Sequence, residues 1–444
     1  MKSSSRYVCA IATVLALGCS SDHSAARGDA DSAVASGGGS AGEGGAATNG
    51  GGAKPSSGGA KPSSGGSSTA GGASNSGGKS ETGGGSSSGG ANNSGGKSGS
   101  GGSPGSGGAG TGGGKGATTP PGGWTNVTAN LANMASECGN LSHLSAKPDE
   151  DMLIAGIAQN GLWASTDGGK SWHALGMGAG SQKITNRTSS IVFDPSHPHQ
   201  FWESGIYNAG GVYVTTDDGD TFHALGDVHH DDLVSVDFAD PDRKTLVAGG
   251  HEQKQTVYLS TDSGATWVNV GANLPGGTNF SSVPLLIDAQ TYLVGLAGYA
   301  GGTSGIFRTT NAGKDWAPVT SSGGIDAPLW AKSGDIYWAS NDGVAKSTDK
   351  GVSFTDIPAN GQLKASAPIE LPDGRIAMVG SQTIMVSSDG AASWHAASAA
   401  LPYNDAVGLA YSTQQKAFFI WRFSCDNPVP ANAIMRFDFD YEKN

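Results

Sequence analysis

Ser165-Thr166-Asp167-Gly168-Gly169-Lys170-Ser171-Trp172 is the first of six related octapeptides, and their reading decides the fold. The others occupy 215–222, 260–267, 309–316, 347–354 and 387–394. Their third positions are Asp167, Asp217, Asp262, Asn311, Asp349 and Asp389, at intervals of 50, 45, 49, 38 and 40 residues. Such a period marks a chain built from repeated supersecondary units. Each octapeptide reads as a tight turn between two strands. The carboxylate accepts backbone amides inside the turn, a glycine supplies the left-handed conformation, and the closing Trp or Phe opens the next strand. Two copies depart from the pattern: Asn311 with Asp315 in the fourth, and Ala391 for Gly in the sixth.

Working outward, each turn is preceded by room for two more strands, such as 188–193 with 200–206 and 232–238 with 245–250. Residues β-branched or alternating in polarity, with Asp194-Pro195 and Asp240-Pro241 between them, read as strand, turn, strand. Four-stranded units of this length predict an all-β fold, a single β-propeller. Residues 124–444 divide by seven into about 46 each. Six turns leave one unit over, which 406–412, 417–422 and 433–439 supply with three strands. Trp124-Thr125-Asn126-Val127-Thr128 resembles the strand after a turn, as in Trp267-Val268-Asn269-Val270. This N-terminal strand is expected to complete the seventh blade and remove the open edges of the ring.

The octapeptides resemble the Asp-box (BNR) pattern of sialidase-like propellers, xyloglucanases, sortilin and photosystem assembly factors. That resemblance implies a structural role for Asp167, Asp217, Asp262, Asn311, Asp349 and Asp389, on the face opposite the usual propeller active site. It also excludes. Sialidases carry an Arg-Ile/Leu-Pro motif and three substrate-clamping arginines. Here Arg187, Arg243, Arg308, Arg375, Arg422 and Arg436 are the arginines beyond residue 123, none followed by Ile/Leu-Pro. Xyloglucanases set two propellers around a cleft, whereas one is expected here. The segment 205–213 is only loosely similar to theirs.

Composition separates this region from what precedes it. Residues 20–123 hold 38 of the 74 glycines, with no aromatic residue and a single Val. Such a stretch buries too little apolar surface to offset its ordering entropy and reads as a disordered Gly/Ser tether. Its root-mean-square span would be about 50–60 Å. Residues 124–444 carry 18 basic and 33 acidic side chains, a balance that repels phosphate backbones and argues against nucleic-acid binding.

Residues 1–19 begin with Lys2 and Arg6 and continue through an apolar run to Leu17-Gly18-Cys19, the layout of a secretory signal. The run into Gly18-Cys19 resembles a bacterial lipobox, which implies lipidation of Cys19. It also implies an exported lipoprotein at the outer membrane or cell surface, held to the membrane only through that anchor. Cys9 would leave with the signal, so Cys138 and Cys425 remain. They fall on one face of adjacent blades and are expected to form a disulfide.

Ligands of propellers normally meet the loops that lead into first strands and those that join second to third strands. His229, His230, Asp231 and Asp232 precede blade three; Arg187, Glu203, Tyr207 and Asn208 belong to blade two. His251 and Glu252, Tyr299, Asp326, Asn404 and Asp405 have corresponding places in other blades. Paired carboxylates suit glycosidic hydrolysis, and His with Asp suits a metal; no metal or cofactor is expected. The sequence supports a monomeric binding module for a polysaccharide or protein ligand. A glycoside hydrolase acting on extracellular polysaccharide is the alternative, xyloglucanase-like rather than sialidase-like, and an assembly chaperone a third reading.

Overall fold

The structure is a computed structural model and describes residues 123–208, 210–276, 282–296 and 303–443. The signal, Cys19, most of the tether and Tyr299 lie outside these residues. Seven antiparallel sheets of four strands each form the blades of a β-propeller. Blade one comprises Leu141–Ala146, Leu153–Ile157, Gly161–Ser165 and His173–Ala174, and blades two to six repeat this simple meander. The seventh sheet is composite. Trp124–Asn126 pairs with Ile434–Asp438 as its outer strand, with Trp124 opposite Phe437 and Asn126 opposite Met435.

Packing follows from strand periodicity. Successive side chains point to opposite faces, and a middle strand here has a neighbouring blade on each side. Leu153 therefore joins the apolar cluster shared with blade seven, while Ile154 joins the one shared with blade two. Phe418 and Phe419 divide likewise between blades six and one. Seven such clusters occupy the seven junctions. The seven first strands surround a central channel of about 2440 Å³.

The six repeated turns share one hydrogen-bond set on the lower face. In the first, Ser165 Oγ donates to Asp167 Oδ1 at 2.8 Å and accepts the Gly169 amide at 2.8 Å. Asp167 then accepts the Ser171 amide at 3.0 Å and its hydroxyl at 2.6 Å. These contacts, the Ser171 hydroxyl foremost, hold the Asp167 carboxyl down to about 2. Gly169 has φ +86°, and a Cβ there would stand 2.8 Å from Val127, so conformation and close approach both require glycine. The turns also tie blades together. Trp172, Trp267 and Trp316 donate their indole N–H to the backbone of the preceding blade, at Val127, Leu225 and Val270 (3.1, 2.9 and 3.1 Å).

The two irregular turns keep the same geometry. Asn311 Nδ2 donates to Asp315 Oδ2 at 2.8 Å, and the Asp315 amide donates to Asn311 Oδ1 at 2.9 Å. The donor and acceptor have exchanged places, and the bond survives. Ala391 accepts φ +75°, with its amide still donating to Ser387 Oγ at 2.9 Å.

Ring closure has a second element on the upper face. Cys138 and Cys425 are disulfide-bonded across 287 residues, just before blade one and within the second-to-third connection of blade seven. Asn140 supports them, accepting the Ser424 amide and donating to the carbonyls of Asp426 and Pro428.

Two outcomes follow. Asn311→Asp alone sets two carboxylates against each other and should lower the unfolding free energy by about 1 kcal/mol; Asn311→Asp with Asp315→Thr should restore it, which a denaturant double-mutant cycle measures. Reducing the Cys138–Cys425 bond should lower stability by about 5 kcal/mol in the chain-entropy account; equal denaturation midpoints for oxidised and reduced protein would contradict this.

Candidate functional site

The upper face gathers the loops leading into the first strands, and Arg187, Tyr207, His230, Asp232 and His251 meet there. The segment Phe201–Ile206 ends at Tyr207 and Asn208, both at positive φ (57° and 49°). Positive φ recurs across the junction at His230 (65°) and Glu252 (51°). Non-glycine residues enter this region at an energetic penalty that only the surrounding structure can sustain, and such positions concentrate at functional sites.

Three rings meet in edge-to-face contacts: Tyr207 with His230 at 4.6 Å, Tyr207 with His251 at 5.5 Å, and His230 with His251 at 4.9 Å. The Arg187 guanidinium lies 4.7 Å from the centre of the Tyr207 ring. Asp232 Oδ1 accepts from His251 Nδ1 at 2.7 Å, and His251 Nε2 lies 3.4 Å from the Tyr207 hydroxyl. The result is a carboxylate, imidazole and phenol in series.

Protons on the two imidazoles follow from their partners. The Tyr207 amide donates to His230 Nδ1 at 2.8 Å, so neutral His230 carries its proton on Nε2. Burial and then the neighbouring His251 lower its proton affinity. Burial acts on His251 in the same direction, but Asp232 and Glu252 outweigh it and the net shift is upward. His230, His251 and Glu252 bring ligand-type atoms within 4.8 Å of one another. With Nδ1 of His230 already accepting and Nε2 protonated, this trio fits a hydrogen-bonding surface better than a metal centre.

The other candidates separate. Glu203 and Asp231 have no exposed surface and do not reach the face; Glu203, opposite Ile191 and Tyr213, lies in the junction of blades one and two, whereas Asp231 starts the first strand of blade three. The reason is local. Glu203 sits on a middle strand buried on both sides, and a bulge between Asp231 and Leu233 shifts the alternation at the start of blade three. Burial pushes the Glu203 carboxyl up to about 8 against the contacts from Asn186 and Thr188. Burial, then the charges of Asp232 and Glu203, raise Asp231. His229 is exposed and turns to Asp227 at 2.9 Å. Asp405 stands on blade seven, 3.3 Å from Arg422, at the channel mouth.

Asp326 also faces the channel. Its carboxylate accepts the Ala327 and Ala367 amides at 2.7 and 3.0 Å, yet enclosure by the channel walls raises its proton affinity, and Asp232 adds to this. Lys364 donates to the Asn404 carbonyl at 2.6 Å and lines the same mouth. Sequence reasoning missed Lys364 and Asn186. Their only signal was position, each shortly before or within the segment leading into a blade.

No family model matches the chain, and no curated protein matches it in sequence. Among solved structures it is similar to the GH74 enzyme of Niastella koreensis (14% identity, TM-score 0.49, 72% of this chain over 54% of that one). The GH74 xyloglucanase of Xanthomonas campestris is 17% identical with a TM-score of 0.41, over 72% of this chain and 56% of that one. YCF48 from Cyanidioschyzon merolae is 12% identical with a TM-score of 0.44, over 71% and 98%. The likeness is one of fold. The chain spans about half the length of the two GH74 structures.

Proposed function

We propose that this chain is an exported, lipid-anchored binding module whose upper face takes a glycan or a protein segment at blades two and three. One observation carries the reading. Glu203 and Asp231 have no exposed surface, while Tyr207, Asn208, His229 and His230 reach solvent. Hydrolysis of a glycosidic bond needs two carboxyls in contact with substrate. Tyr207, Asn208, His229 and His230 instead offer a ring surface, an amide and imidazole donors and acceptors, the equipment of recognition. Polarity of the fold agrees with an anchored role. Trp124 pairs opposite Phe437, near the lower end of blade seven, on the face opposite the site.

The hydrolase alternative keeps one specific observation. Asp326 has its acid form favoured and feels the charge of Asp232 across the channel, a general acid with a carboxylate partner in outline. A panel of polysaccharides and peptides separates the readings. Binding without release of reducing ends, weakened about tenfold or more by Tyr207→Ala, is the expected result; sugar release abolished by Asp326→Asn would replace it with the hydrolase. Anchoring has its own test. Cys19→Ser should move the exported protein from the membrane fraction to the soluble one, and an unchanged distribution would remove the lipid anchor from the proposal.

A further inference from the structure

Two Asn-Gly pairs stand among the described residues, Asn160-Gly161 in blade one and Asn360-Gly361 on the loop into blade six. The pair has a chemistry of its own. With no side chain on the glycine, its backbone nitrogen can reach the carbonyl carbon of the asparagine side chain and close a five-membered ring. In a folded chain the outcome depends on how firmly the side-chain amide and the glycine are held.

At Asn160 both are held. Its Nδ2 donates to the Ala135 carbonyl at 2.9 Å and to the Ala158 carbonyl at 3.2 Å. Gly161 begins a strand and pairs with Ile157, and a Cβ there would stand 3.1 Å from the Ile184 carbonyl oxygen. Turning the Asn160 amide toward Gly161 would break both of its bonds.

At Asn360 neither is held. Both residues are exposed, and among the described residues neither the Asn360 side chain nor the Gly361 amide makes a hydrogen bond. Their φ values are +50° and +75°, and the Gln362 amide donates to the Ala359 carbonyl at 2.9 Å, so the pair occupies the centre of a tight turn of the type I′ kind. A Cβ on Gly361 would meet nothing within 4 Å. The flanks of the turn are fixed: the Ala359 amide donates to the Asp342 carbonyl at 2.7 Å, and Ser381 Oγ donates to the Gly361 carbonyl at 2.6 Å. The turn is kept in place while its two reacting groups stay free and in contact with water.

We propose that Asn360 is a self-modifying site of the upper face, converted by water to aspartate and isoaspartate. The Gly361 nitrogen bonds to Asn360 Cγ, its proton passes to the side-chain nitrogen, and that nitrogen leaves as ammonia. Water then adds to one of the two carbonyls of the cyclic imide and breaks a C–N bond. Opening on one side gives aspartate. Opening on the other gives isoaspartate, whose main chain runs through the former side chain.

The position gives this change its consequence. Gly361, Asp342, Lys364, Asn404 and Asp405 line one mouth of the channel. Either product replaces a neutral amide beside it with a carboxylate. Isoaspartate also lengthens the turn by one methylene and draws the Gln362 amide away from the Ala359 carbonyl. The channel mouth therefore grows more acidic as the molecule ages. The site lies away from blades two and three, so failure of the binding reading leaves it untouched.

The test holds the purified protein at mildly alkaline pH, where more of the attacking amide is deprotonated, and digests samples at intervals for peptide mass spectrometry. The peptide carrying Asn360 should gain one dalton and separate into two chromatographic forms; in heavy-oxygen water the gain should be three daltons. Conversion at Asn360 should outpace that at Asn160 by about tenfold or more, the slowing that two side-chain hydrogen bonds impose. In concentrated urea the two rates should converge. Asn360→Gln, which would have to close a six-membered ring, should keep its mass over the same period. Equal rates at the two sites in the folded protein overturn the proposal. So does a difference that persists in urea, which would make it a property of neighbouring residues rather than of the fold. If the variant fails to fold, the wild-type rates decide alone.

Discussion

Everything in this molecule depends on middle strands that are buried on both faces. A residue such as Leu153 and its neighbour Ile154 serve two different junctions, so every blade is half of two cores and the whole of none. Each buried Leu, Ile or Phe contributes about 1.5–3 kcal/mol only when the facing blade is present. A lone blade would expose both apolar faces to water, and an open row would still expose one at each end. The ring must close, and two devices close it. On the lower side Trp124–Asn126 completes the seventh sheet; on the upper side Cys138 and Cys425 bind the first blade to the last.

The lower face repeats because its turns do three tasks with one set of atoms. The aspartate organises the turn, the glycine permits close approach of the preceding blade, and the Trp reaches that blade's backbone. Any change must preserve the hydrogen bonds, as the Asn311 and Asp315 exchange does. The upper loops carry no such shared duty. They are free to differ between blades, and the Tyr207, His230 and His251 cluster is found there. Division of labour between the two faces follows from the turn chemistry rather than from the shape of the ring.

This also explains what was legible beforehand. The repeated turn is visible in the chain because its bonds require fixed residue types at fixed spacing, and seven blades follow from six turns plus one strand at Trp124. The disulfide was legible for the same reason: blade order places Cys138 beside Cys425. The site was legible only as a region. Arg187, Tyr207, His230, Asp232 and His251 were named and do converge, but Glu203 and Asp231 were named beside them as surface groups and lie buried. A carboxylate on a strand carries no mark of which face it takes, and the bulge between Asp231 and Leu233 alters the alternation from which that face would be read. Asn186 and Lys364 carried no pattern at all; only folding brings them to Glu203 and to the channel mouth.

The junction of blades two and three thus holds two unlike solutions to burying charge. At its lower end Asp194 meets Arg243, a pair that seals and orients. At its upper end Asp231 meets no such partner, close to four residues held at positive φ. Strain and unsatisfied oxygen atoms both oppose folding, and their coincidence at one end of one junction is uneconomical for a purely structural seam. Apolar side chains would have closed it, as they do lower in the same blades through Trp202, Val234 and Leu246. A junction that forgoes that closure under a face of imidazole, phenol and amide groups is organised around something other than stability.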